Sequence, residues 1–344
     1  MRINLLLPHL KLSGGISVSM AFAHELSLRG HTVFLVVECR SLTRYVRNLY
    51  TRHPLLPQGS KAKILWVRKF ADLPDEGVFI ADSWQVAKKL HEMPVTGAKF
   101  HYIQHDERMH HGDRDQVERV YRLPLIKMVN ATWLQKLLKK DLDQDVSILF
   151  NAIDCSLFNP DKRNRKADDK SIRIAVLHHD YAWKGTKDGV QIVQRLKAKY
   201  PEKNIKLILF GTREKNISYP CDEYHYNAVG VDLATLFANS DIYIGPSSDD
   251  SRAILHRWVM ASGCAIAIYD NVSIDDYAVD GETALIAKKG DVSDLLKKTE
   301  TLVINENLRR ELAGNALEYV LKLPTWKELT DQLENIFNEA LKTK

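Results

Sequence analysis

A pair of glycines is the first segment of this sequence whose residue types suggest chemistry. Gly14 and Gly15 follow an apolar run at residues 2–7 and open an amphipathic run at 15–29. Paired glycines between a strand and a helix let the backbone approach a ligand closely, and the helix N-terminus offers N–H groups to an anion. The spacing is not G-x-G-x-x-G, so the fingerprint of dinucleotide binding is absent. A tight turn without a ligand is the alternative interpretation.

A histidine and an aspartate follow the apolar run at residues 100–104. His105 stands where a cleft residue would, at the carboxyl end of a strand, and could donate a hydrogen bond to a substrate hydroxyl or phosphate. Asp106 could orient it. A capping or packing histidine is the alternative. His110 and His111 follow closely, but no matched cysteine or carboxylate spacing accompanies them, so we predict that no metal is bound.

A lysine follows the apolar run at residues 172–177, in the segment His178-His179-Asp180-Tyr181-Ala182-Trp183-Lys184-Gly185. Lys184 stands just before a predicted helix at 186–199. At such a place its ammonium group could neutralise a diphosphate as a point charge. A solvated lysine at a helix start is the alternative.

Two aspartates follow the apolar run at residues 241–245. The segment continues as Pro246-Ser247-Ser248-Asp249-Asp250-Ser251, and a helix is predicted to open near Arg252. The first N–H groups of that helix could hold a phosphate, and Asp250 could accept hydrogen bonds from sugar hydroxyls. N-capping of the helix by Asp250 or Ser251 is the simpler interpretation, and capping and ligand contact can coexist.

All of these segments are expected to lie at the carboxyl ends of strands in two parallel sheets. Short apolar runs alternate with amphipathic runs in both halves of the chain, a pattern typical of sheets covered by helices on both faces. The predicted strands are 2–7, 32–38, 63–67, 78–81, 100–104, 147–150, 172–177, 205–210, 241–245 and 264–268. The predicted helices are 15–29, 133–142, 186–199, 231–239, 252–262, 305–320 and 325–342. Open α/β sheets bind ligands beyond the carboxyl ends of their strands, so two such domains facing each other would form one deep cleft.

Length and composition agree with two globular domains. The chain has 344 residues, of which 45% are hydrophobic and 27% charged, and this excludes a disordered chain. The polar segment 159–170 predicts the boundary. The four cysteines form no CxxC pair, which argues against a zinc site or a disulfide framework and favours a reducing compartment. The first apolar run is too short for a signal peptide or a membrane span, and no later run reaches 18 apolar residues.

Charge is unevenly distributed along the chain. Residues 1–160 carry 22 Lys and Arg against 16 Asp and Glu, a net charge of +6, whereas the remainder carries 27 against 28, a net charge of −1. A basic first half could contact an anionic surface, such as a lipid leaflet or a phosphorylated acceptor, or it could simply be solvated. No clustered Lys, Arg and aromatic platform accompanies this charge, so we do not expect nucleic-acid binding.

The order of these segments resembles that of the family-4 glycosyltransferases, the glycosyl transferases group 1. The resemblance covers most of the chain and is clearest at residues 229–290. The matching motifs are Pro246-Ser247, Met260-Ala261-Ser262-Gly263, Asp280-Gly281-Glu282-Thr283-Ala284-Leu285 and Gly290-Asp291, preceded by the helix and strand from Gly230 to Asp241. Phe150-Asn151-Ala152-Ile153-Asp154, with Phe158 and Pro160, is similar to the family's linker, and Trp326 with the closing helix is similar to its C-terminal helix.

This resemblance implies an α/β GT-B architecture of two Rossmann-like, doubly wound parallel-sheet domains facing a central cleft. Residues 1–160 would form the acceptor-side domain and residues 161–325 the domain that binds the nucleotide-sugar donor. Residues 326–344 would form a helix that packs back toward the first domain. The family transfers sugars with retention of anomeric configuration and without a metal, since basic groups and helix N-termini offset the charge of the leaving diphosphate.

The family's site residues correspond to individual positions of this sequence. Gly14 and Gly15 match the loop near the donor diphosphate. His105 matches a histidine that contacts the transferred sugar, and Lys184 matches the lysine that contacts the diphosphate. Asp82 and Ser83, which follow a predicted strand, are the candidates for the acceptor side of the cleft.

Several positions of the predicted donor site depart from the family's pattern. The family has two glutamates separated by seven residues, and here Asp250 occupies the first position and Trp258 the second. Tryptophan cannot accept the hydrogen bonds that the second glutamate usually accepts from ribose hydroxyls. His179 replaces an arginine five residues before the lysine. Ser251-Arg252-Ala253 replaces a glycine-rich turn, and Arg252 could supply the missing positive charge.

The sequence therefore predicts a retaining, metal-independent glycosyltransferase of polysaccharide or cell-surface glycan synthesis that uses no cofactor. Its donor would be a UDP, GDP, dTDP or ADP sugar and its acceptor a glycan or a lipid-linked saccharide. It would be cytoplasmic or would contact the cytoplasmic face of a membrane through its basic domain. The departures leave open a non-catalytic sugar- or nucleotide-binding protein, or a partner subunit, on the same scaffold. Asp113-x-Asp115 and Asp143-x-Asp145 lie in polar segments, so we interpret them as solvated charge rather than as a metal site.

Overall fold

The computed structural model describes residues 1–39, 53–109, 112–212, 217–249 and 254–342. The chain divides into two compact units. The first unit comprises Met1–Ala152 together with Pro324–Lys344, and the second comprises Ile153–Leu323.

The first unit is built on a parallel sheet of seven strands. They are β1 (Arg2–Leu7), β2 (Thr32–Glu38), β3 (Lys63–Val67), β4 (Val78–Ala81), β5 (Ala98–Ile103), β6 (Ile126–Val129) and β7 (Ser147–Ile148). Their order across the sheet is β3-β2-β1-β4-β5-β6-β7, and all neighbours are parallel. The central strand β4 is buried at every residue, as expected for a parallel sheet covered on both faces.

Helices connect these strands, and side-chain caps fix where several of them begin. The helices are α1 (Gly14–Leu28), α2 (Trp84–Glu92), α3 (Arg114–Tyr121) and α4 (Thr132–Leu142). The side chains of Ser13, Ser83 and Asp113 accept hydrogen bonds from the first turns of α1, α2 and α3. Each cap pairs a backbone N–H that the helix leaves unpaired.

The second unit contains a parallel sheet of six strands. They are β8 (Ile172–Leu177), β9 (Ile205–Gly211), β10 (Glu223–Tyr226), β11 (Ile242–Gly245), β12 (Ala265–Tyr269) and β13 (Leu285–Ala287), in the order β10-β9-β8-β11-β12-β13. The helices are α5 (Thr186–Lys199), α6 (Val231–Ala238), α7 (Ile254–Ala261), α8 (Val292–Ile304) and α9 (Glu306–Leu321). Alternate residues of β8 enter different cores: Ala175 packs with Met260 of α7, and Ile174 packs with Ile192 of α5.

The last helix, α10 (Trp326–Lys342), packs on the first unit. The ring of Trp326 meets that of Phe22 edge-on, with centroids 5.0 Å apart, and Phe337 meets Phe100 of β5 at 5.2 Å. Arg29, just after α1, forms ion pairs with Asp331 and Glu334 of α10. The helix is therefore held to this unit by both apolar and charged contacts.

The prediction of two Rossmann-like parallel sheets is confirmed. All ten predicted strands occur, with ends that differ by at most two residues. The sequence did not reveal β6, β10, β13, α2, α3 or α8. Strand β6 was missed because Lys127 interrupts its apolar run. Lys127 is 9% exposed, and its ammonium group donates hydrogen bonds to the carbonyl oxygens of Leu123 and Leu125. β10 reads Glu-Tyr-His-Tyr and has no apolar run to recognise.

Residues 153–160, which we assigned to the N-terminal domain, lie in the second unit. The reason is the side chain of Phe158, which is 4% exposed and packs with Phe237 and Trp258. The polar segment 159–170 predicted where an exposed linker lies. The boundary between the two units lies before this segment, because Phe158 packs with residues of the second unit.

Replacing Phe337 tests the contribution of α10 to the first unit. Phe337 is 0% exposed, so Phe337→Ala is expected to lower the free energy of unfolding by about 3–5 kcal/mol, measured by urea denaturation. Leu341, on the same helix, is 38% exposed, and Leu341→Ala should change the free energy by less than about 0.5 kcal/mol. Equal effects of the two substitutions would contradict the described packing.

Candidate functional site

Three adjacent strands of the first unit, β1, β4 and β5, lead into segments that meet at one edge of the sheet. Nε2 of Gln104, after β5, donates a hydrogen bond to Oδ1 of Asp82, after β4. The same nitrogen donates to the carbonyl oxygen of Gly15, in the first turn of α1, at 3.3 Å. Ser19 Oγ donates to Asp82 Oδ2 at 3.0 Å. Gly15 and Asp82, both singled out from the sequence, therefore share one hydrogen-bond network that Gln104 completes.

The carboxyl group of Asp82 is held away from bulk water. Burial raises its pKa to about 7, while the hydrogen bonds from Gln104 and Ser19 oppose the rise. An apolar cavity lies beside it, lined by Leu5, Phe22, Ile80, Tyr102, Met128, Leu149 and Leu333. A carboxyl group that titrates near neutral pH at a strand end is a candidate for binding or proton transfer.

Glu107 is a second carboxyl group of this kind, and the sequence analysis missed it. Its Oε2 accepts a hydrogen bond from the backbone N–H of Trp84 at 2.9 Å and lies 4.0 Å from Nε2 of His101. Burial, assisted by the charges of Asp82 and Asp106, raises the pKa of Glu107 to about 8, while the hydrogen bond from Trp84 opposes the rise. Burial also lowers the pKa of His101 to about 3, so that ring remains neutral. The only sequence signal was its place directly after His105 and Asp106, because nothing in the sequence indicates that this carboxyl group is buried.

His105 lies in the loop after β5, and its carbonyl oxygen accepts a hydrogen bond from the hydroxyl of Tyr121 at 3.3 Å. Asp106 is 5% exposed, and its two oxygens accept hydrogen bonds from Nε and Nη2 of Arg108, at 2.9 and 3.1 Å. Asp141 accepts a further bond from Arg108 at 2.9 Å. Asp106 therefore forms a buried ion pair with Arg108 that holds the loop, and its orientation of His105 stays a prediction.

The remaining predicted residues of this edge lie at helix starts. Gly14 is the first residue of α1, and its carbonyl oxygen accepts a hydrogen bond from Ser17 Oγ at 2.6 Å. Ser83 is 7% exposed, and its Oγ caps α2 by accepting from the N–H of Val86 at 3.4 Å. Capping accounts for the burial of Ser83, and the acceptor-side role of Asp82 and Ser83 stays a prediction.

The loops after β8 and β11 touch in the second unit. The backbone N–H of Ser248 donates a hydrogen bond to the carbonyl oxygen of Trp183 at 3.0 Å. Gly185 has a φ of +70°, and a Cβ there would lie 2.2 Å from the carbonyl oxygen of Pro246. Only glycine permits this approach, so Gly185 holds Lys184 beside the Pro246-Ser247 segment.

Positive charge and polar atoms are concentrated where these loops meet. Lys184 Nζ lies 4.3 Å from the ring centroid of Trp183, in a cation–π contact. His179 Nδ1 lies 2.9 Å from Oδ1 of Asp180, and its ring packs on Tyr181. Ser247 is 5% exposed, and its Oγ has no hydrogen-bond partner within the described ranges. An ammonium group and a buried, unsatisfied hydroxyl at a sheet edge suit a phosphate ligand.

Trp258, expected at the donor site, is partly buried and packs against the core of the second unit. Its ring stacks on that of Phe158, with centroids 4.8 Å apart and 6° between the planes. It also packs against the core that contains Phe237 and Met260. Trp258 therefore contributes to the packing of this unit, and its contact with the donor stays a prediction.

Several predicted positions lie outside the described residues: Asp250, Ser251, Arg252, Ala253, His110 and His111. Within the described ranges, no group of three or more His, Cys, Asp or Glu is arranged to hold a metal ion. The two Asp-x-Asp segments behave as surface charge, because Asp113 caps α3 and Asp143 and Asp145 pair with Lys139.

No helix in the part of the chain that the structure describes combines the length and apolar character needed to cross a bilayer.

The architecture is that of the GT-B fold, in which two domains each contain a Rossmann-like parallel sheet. A TarM mutant of S. aureus, solved with fondaparinux, α-GlcNAc-glycerol and UDP, is structurally similar with a TM-score of 0.77 at 9% identity, over 98% of this chain and 99% of that one. Residues 158–319 match the model of the family described as glycosyl transferases group 1. The resemblance inferred from the motifs is thereby confirmed for residues 158–319, just under half of the chain, which match this family.

Curated relatives match over part of their length. An uncharacterized glycosyltransferase of Methanocaldococcus jannaschii is 22% identical over 58% of this chain and 54% of its own. The N,N'-diacetylbacillosaminyl-diphospho-undecaprenol alpha-1,3-N-acetylgalactosaminyltransferase of Campylobacter jejuni is 28% identical over 46% of this chain and 43% of its own. The alignments thus span about half the length of these relatives or less.

The raised pKa of Glu107 predicts how the stability of the first unit depends on pH. The folded state binds this proton more tightly than the unfolded state, so the free energy of unfolding should fall as pH rises from about 5 to about 8. Glu107→Gln keeps an oxygen that can accept from the N–H of Trp84 and removes the titration. We expect it to reduce the fall by more than about 1 kcal/mol, measured by urea denaturation at several pH values.

Glu92→Gln is the matched control, because Glu92 is exposed at the end of α2. It should leave the pH dependence of unfolding unchanged. An unchanged slope in Glu107→Gln as well would show that Glu107 is ionised normally in the folded protein.

Proposed function

We propose that this chain is a retaining glycosyltransferase that moves a sugar from a nucleotide-sugar donor to a glycan or lipid-linked acceptor without requiring a metal ion. The observation that carries the proposal is the contact of the Lys184 loop with the Pro246-Ser247 segment at the carboxyl edge of the second sheet. The match of residues 158–319 to the model of glycosyl transferases group 1 supports the reaction class.

Lys184 is the group that we expect to act on the leaving diphosphate. When the bond between the anomeric carbon and the diphosphate oxygen breaks, its electron pair stays with the diphosphate, whose negative charge increases. The acceptor oxygen bonds to the anomeric carbon and its proton leaves with the diphosphate. A cation fixed beside the diphosphate stabilises this transition state more than the ground state, and the hydroxyl of Ser247 can donate a further hydrogen bond.

The first unit supplies the candidates for the sugar and the acceptor. We propose that His105 contacts the transferred sugar and that Asp82 accepts a hydrogen bond from an acceptor hydroxyl. The first turn of α1, with Gly14 and Gly15, would face the donor diphosphate. This assignment is supported by the hydrogen bonds that join Gly15 and Asp82 to one side chain.

We propose UDP as the donor nucleotide to be tested first, because the similar TarM structure contains UDP. The name of the C. jejuni relative specifies an undecaprenyl-diphosphate-linked acceptor, and this supports a lipid-linked acceptor here. A net charge of +6 over residues 1–160 supports contact with the anionic face of a membrane, which we place on the cytoplasmic side.

A second candidate function is a non-catalytic nucleotide- or sugar-binding protein. It is favoured by the packing of Trp258 against Phe158 at the position of a family glutamate, and by His179 at the position of a family arginine. Such a protein would bind a nucleotide or a sugar and release no product.

The direct experiment offers the chain UDP, GDP, dTDP and ADP sugars with polyprenyl-diphosphate-linked saccharides and measures release of nucleoside diphosphate. Release that depends on both donor and acceptor supports the transferase. Binding of a nucleotide by calorimetry without release under any condition would favour the second candidate.

Lys184→Ala is expected to weaken UDP binding about 10- to 100-fold, since it removes a charge-assisted interaction with the diphosphate. Isothermal titration calorimetry measures this directly. Lys187→Ala is the matched control, because Lys187 is exposed in the first turn of α5 three residues away, and it should bind UDP as the wild type does. If Lys184→Ala bound UDP with the affinity of the wild type, the proposed contact of this lysine with the diphosphate would be contradicted.

A further inference from the structure

Gln104 lies where three segments of the first unit meet. It follows β5 directly and precedes His105 in the chain. Its amide nitrogen donates to the carbonyl oxygen of Gly15 in α1 and to Asp82 after β4. One side chain thus connects the carboxyl end of β4 with the first turn of the helix after β1 and with the loop of His105.

We infer that Gln104 is a positioning residue for sugar transfer: its amide holds the first turn of α1 and the carboxylate of Asp82 at a fixed separation. This inference rests on the proposed function, because it gives Asp82 and Gly15 the roles assigned there. Gln104 itself need not touch donor or acceptor. It would act by holding the carboxylate of Asp82 and the first turn of α1 in fixed positions relative to each other.

The orientation of the amide follows from its partners. A carbonyl oxygen and a carboxylate oxygen are both acceptors, so the group that approaches them must be the donating NH2. The two hydrogens of Nε2 are used one on each partner. Glutamate at this position would have no hydrogen to offer unless it were protonated, and asparagine would be one methylene shorter.

The contact with Gly15 depends on the absence of a side chain there. A Cβ on Gly15 would lie 3.3 Å from Nε2 of Gln104, and the nearest three atoms to that Cβ all belong to Gln104. An added methyl group would therefore displace the amide and little else. This makes Gly15 and Gln104 an energetically coupled pair rather than two independent positions.

Asp82 depends on Gln104 for one of its two hydrogen bonds. Ser19 of α1 donates the other, to the second oxygen. Glu107, in the neighbouring loop, is the titratable group that acts on Asp82. Its carboxylate is negative when ionised, so its charge and that of Asp82 repel each other. The hydroxyl of Tyr102 in β5 is turned to Leu149 and Asn151. The charged form of Asp82 is therefore favoured by two neutral donors, and removing one of them should raise the pKa of Asp82.

The first test is the titration of Asp82 itself, followed by the 13C signal of its labelled side-chain carboxyl and assigned with Asp82→Asn. Gln104→Met has similar length and no donor. It is expected to raise the pKa of Asp82 by about one unit or more, because the charged form loses a hydrogen bond. Gln135→Met removes another side-chain amide of the same unit, which donates to the carbonyl oxygen of Val146, and should leave this titration unchanged. An unchanged titration in Gln104→Met overturns the inference.

A double-mutant cycle tests the contact with Gly15. Gly15→Ala in the wild-type background should raise the pKa of Asp82 in the same direction as Gln104→Met, because the methyl group displaces the amide. In the Gln104→Ala background the same substitution meets open space and should have no further effect on Asp82. Additive effects in the two backgrounds would contradict the proposed coupling.

The third test uses activity and separates this inference from the proposed function. If the wild type transfers sugar, Gln104→Met should lower kcat about 10-fold or more, leave KM for the donor within about twofold, and shift the pH–rate profile upward. Unchanged kcat overturns the inference while the proposed function stands. If the wild type transfers no sugar from any donor, the proposed function fails, and the inferred role in catalysis fails with it. The titration and the cycle then report only whether Gln104 holds Asp82 and Gly15 together.

Discussion

In a parallel sheet the strands run in one direction, so all the loops that follow strands emerge at one edge. Connecting helices cover the two faces and exclude water from them, and polar groups can reach solvent or a ligand mainly at that edge. In the second unit this constraint brings the backbone at Gly185 so close to Pro246 that no side chain fits between them. The place of Lys184 depends on that contact. In the first unit the same constraint brings Gly15, Asp82 and Gln104 together.

The two edges differ in their electrostatics. The first unit concentrates carboxyl groups whose charged forms are disfavoured by burial, namely Asp82 and Glu107. The second places the loop of Lys184 in contact with the segment that carries the buried hydroxyl of Ser247. A polar group that must release or accept a proton suits the first environment, and an anion suits the second.

Two residues that the sequence placed at the candidate site, Trp258 and Asp106, contribute to packing and to an ion pair. Trp258 stands where the family has a glutamate, yet it is well packed, because Phe158 supplies a parallel ring. Phe158 in turn draws the segment before it into the second unit. The buried pair of Asp106 and Arg108 is a comparable case, since an aspartate beside a histidine was available for catalysis and is used to hold the loop.

The sequence by itself determined the two parallel sheets, since apolar runs such as 172–177 bounded by amphipathic runs admit few other arrangements, and it singled out Lys184 and Gly15 from their place after strands. It also indicated the resemblance to the family through motifs that lie close together in the chain. Only the tertiary structure decided the partners of Asp82, Asp106 and Trp258, because each partner comes from a contact that motif and periodicity do not encode. Glu107 could be recognised as a candidate site residue only from the structure, because burial in the folded protein raises its pKa. Local pattern determines which elements form, whereas burial and long-range contact decide what each side chain does.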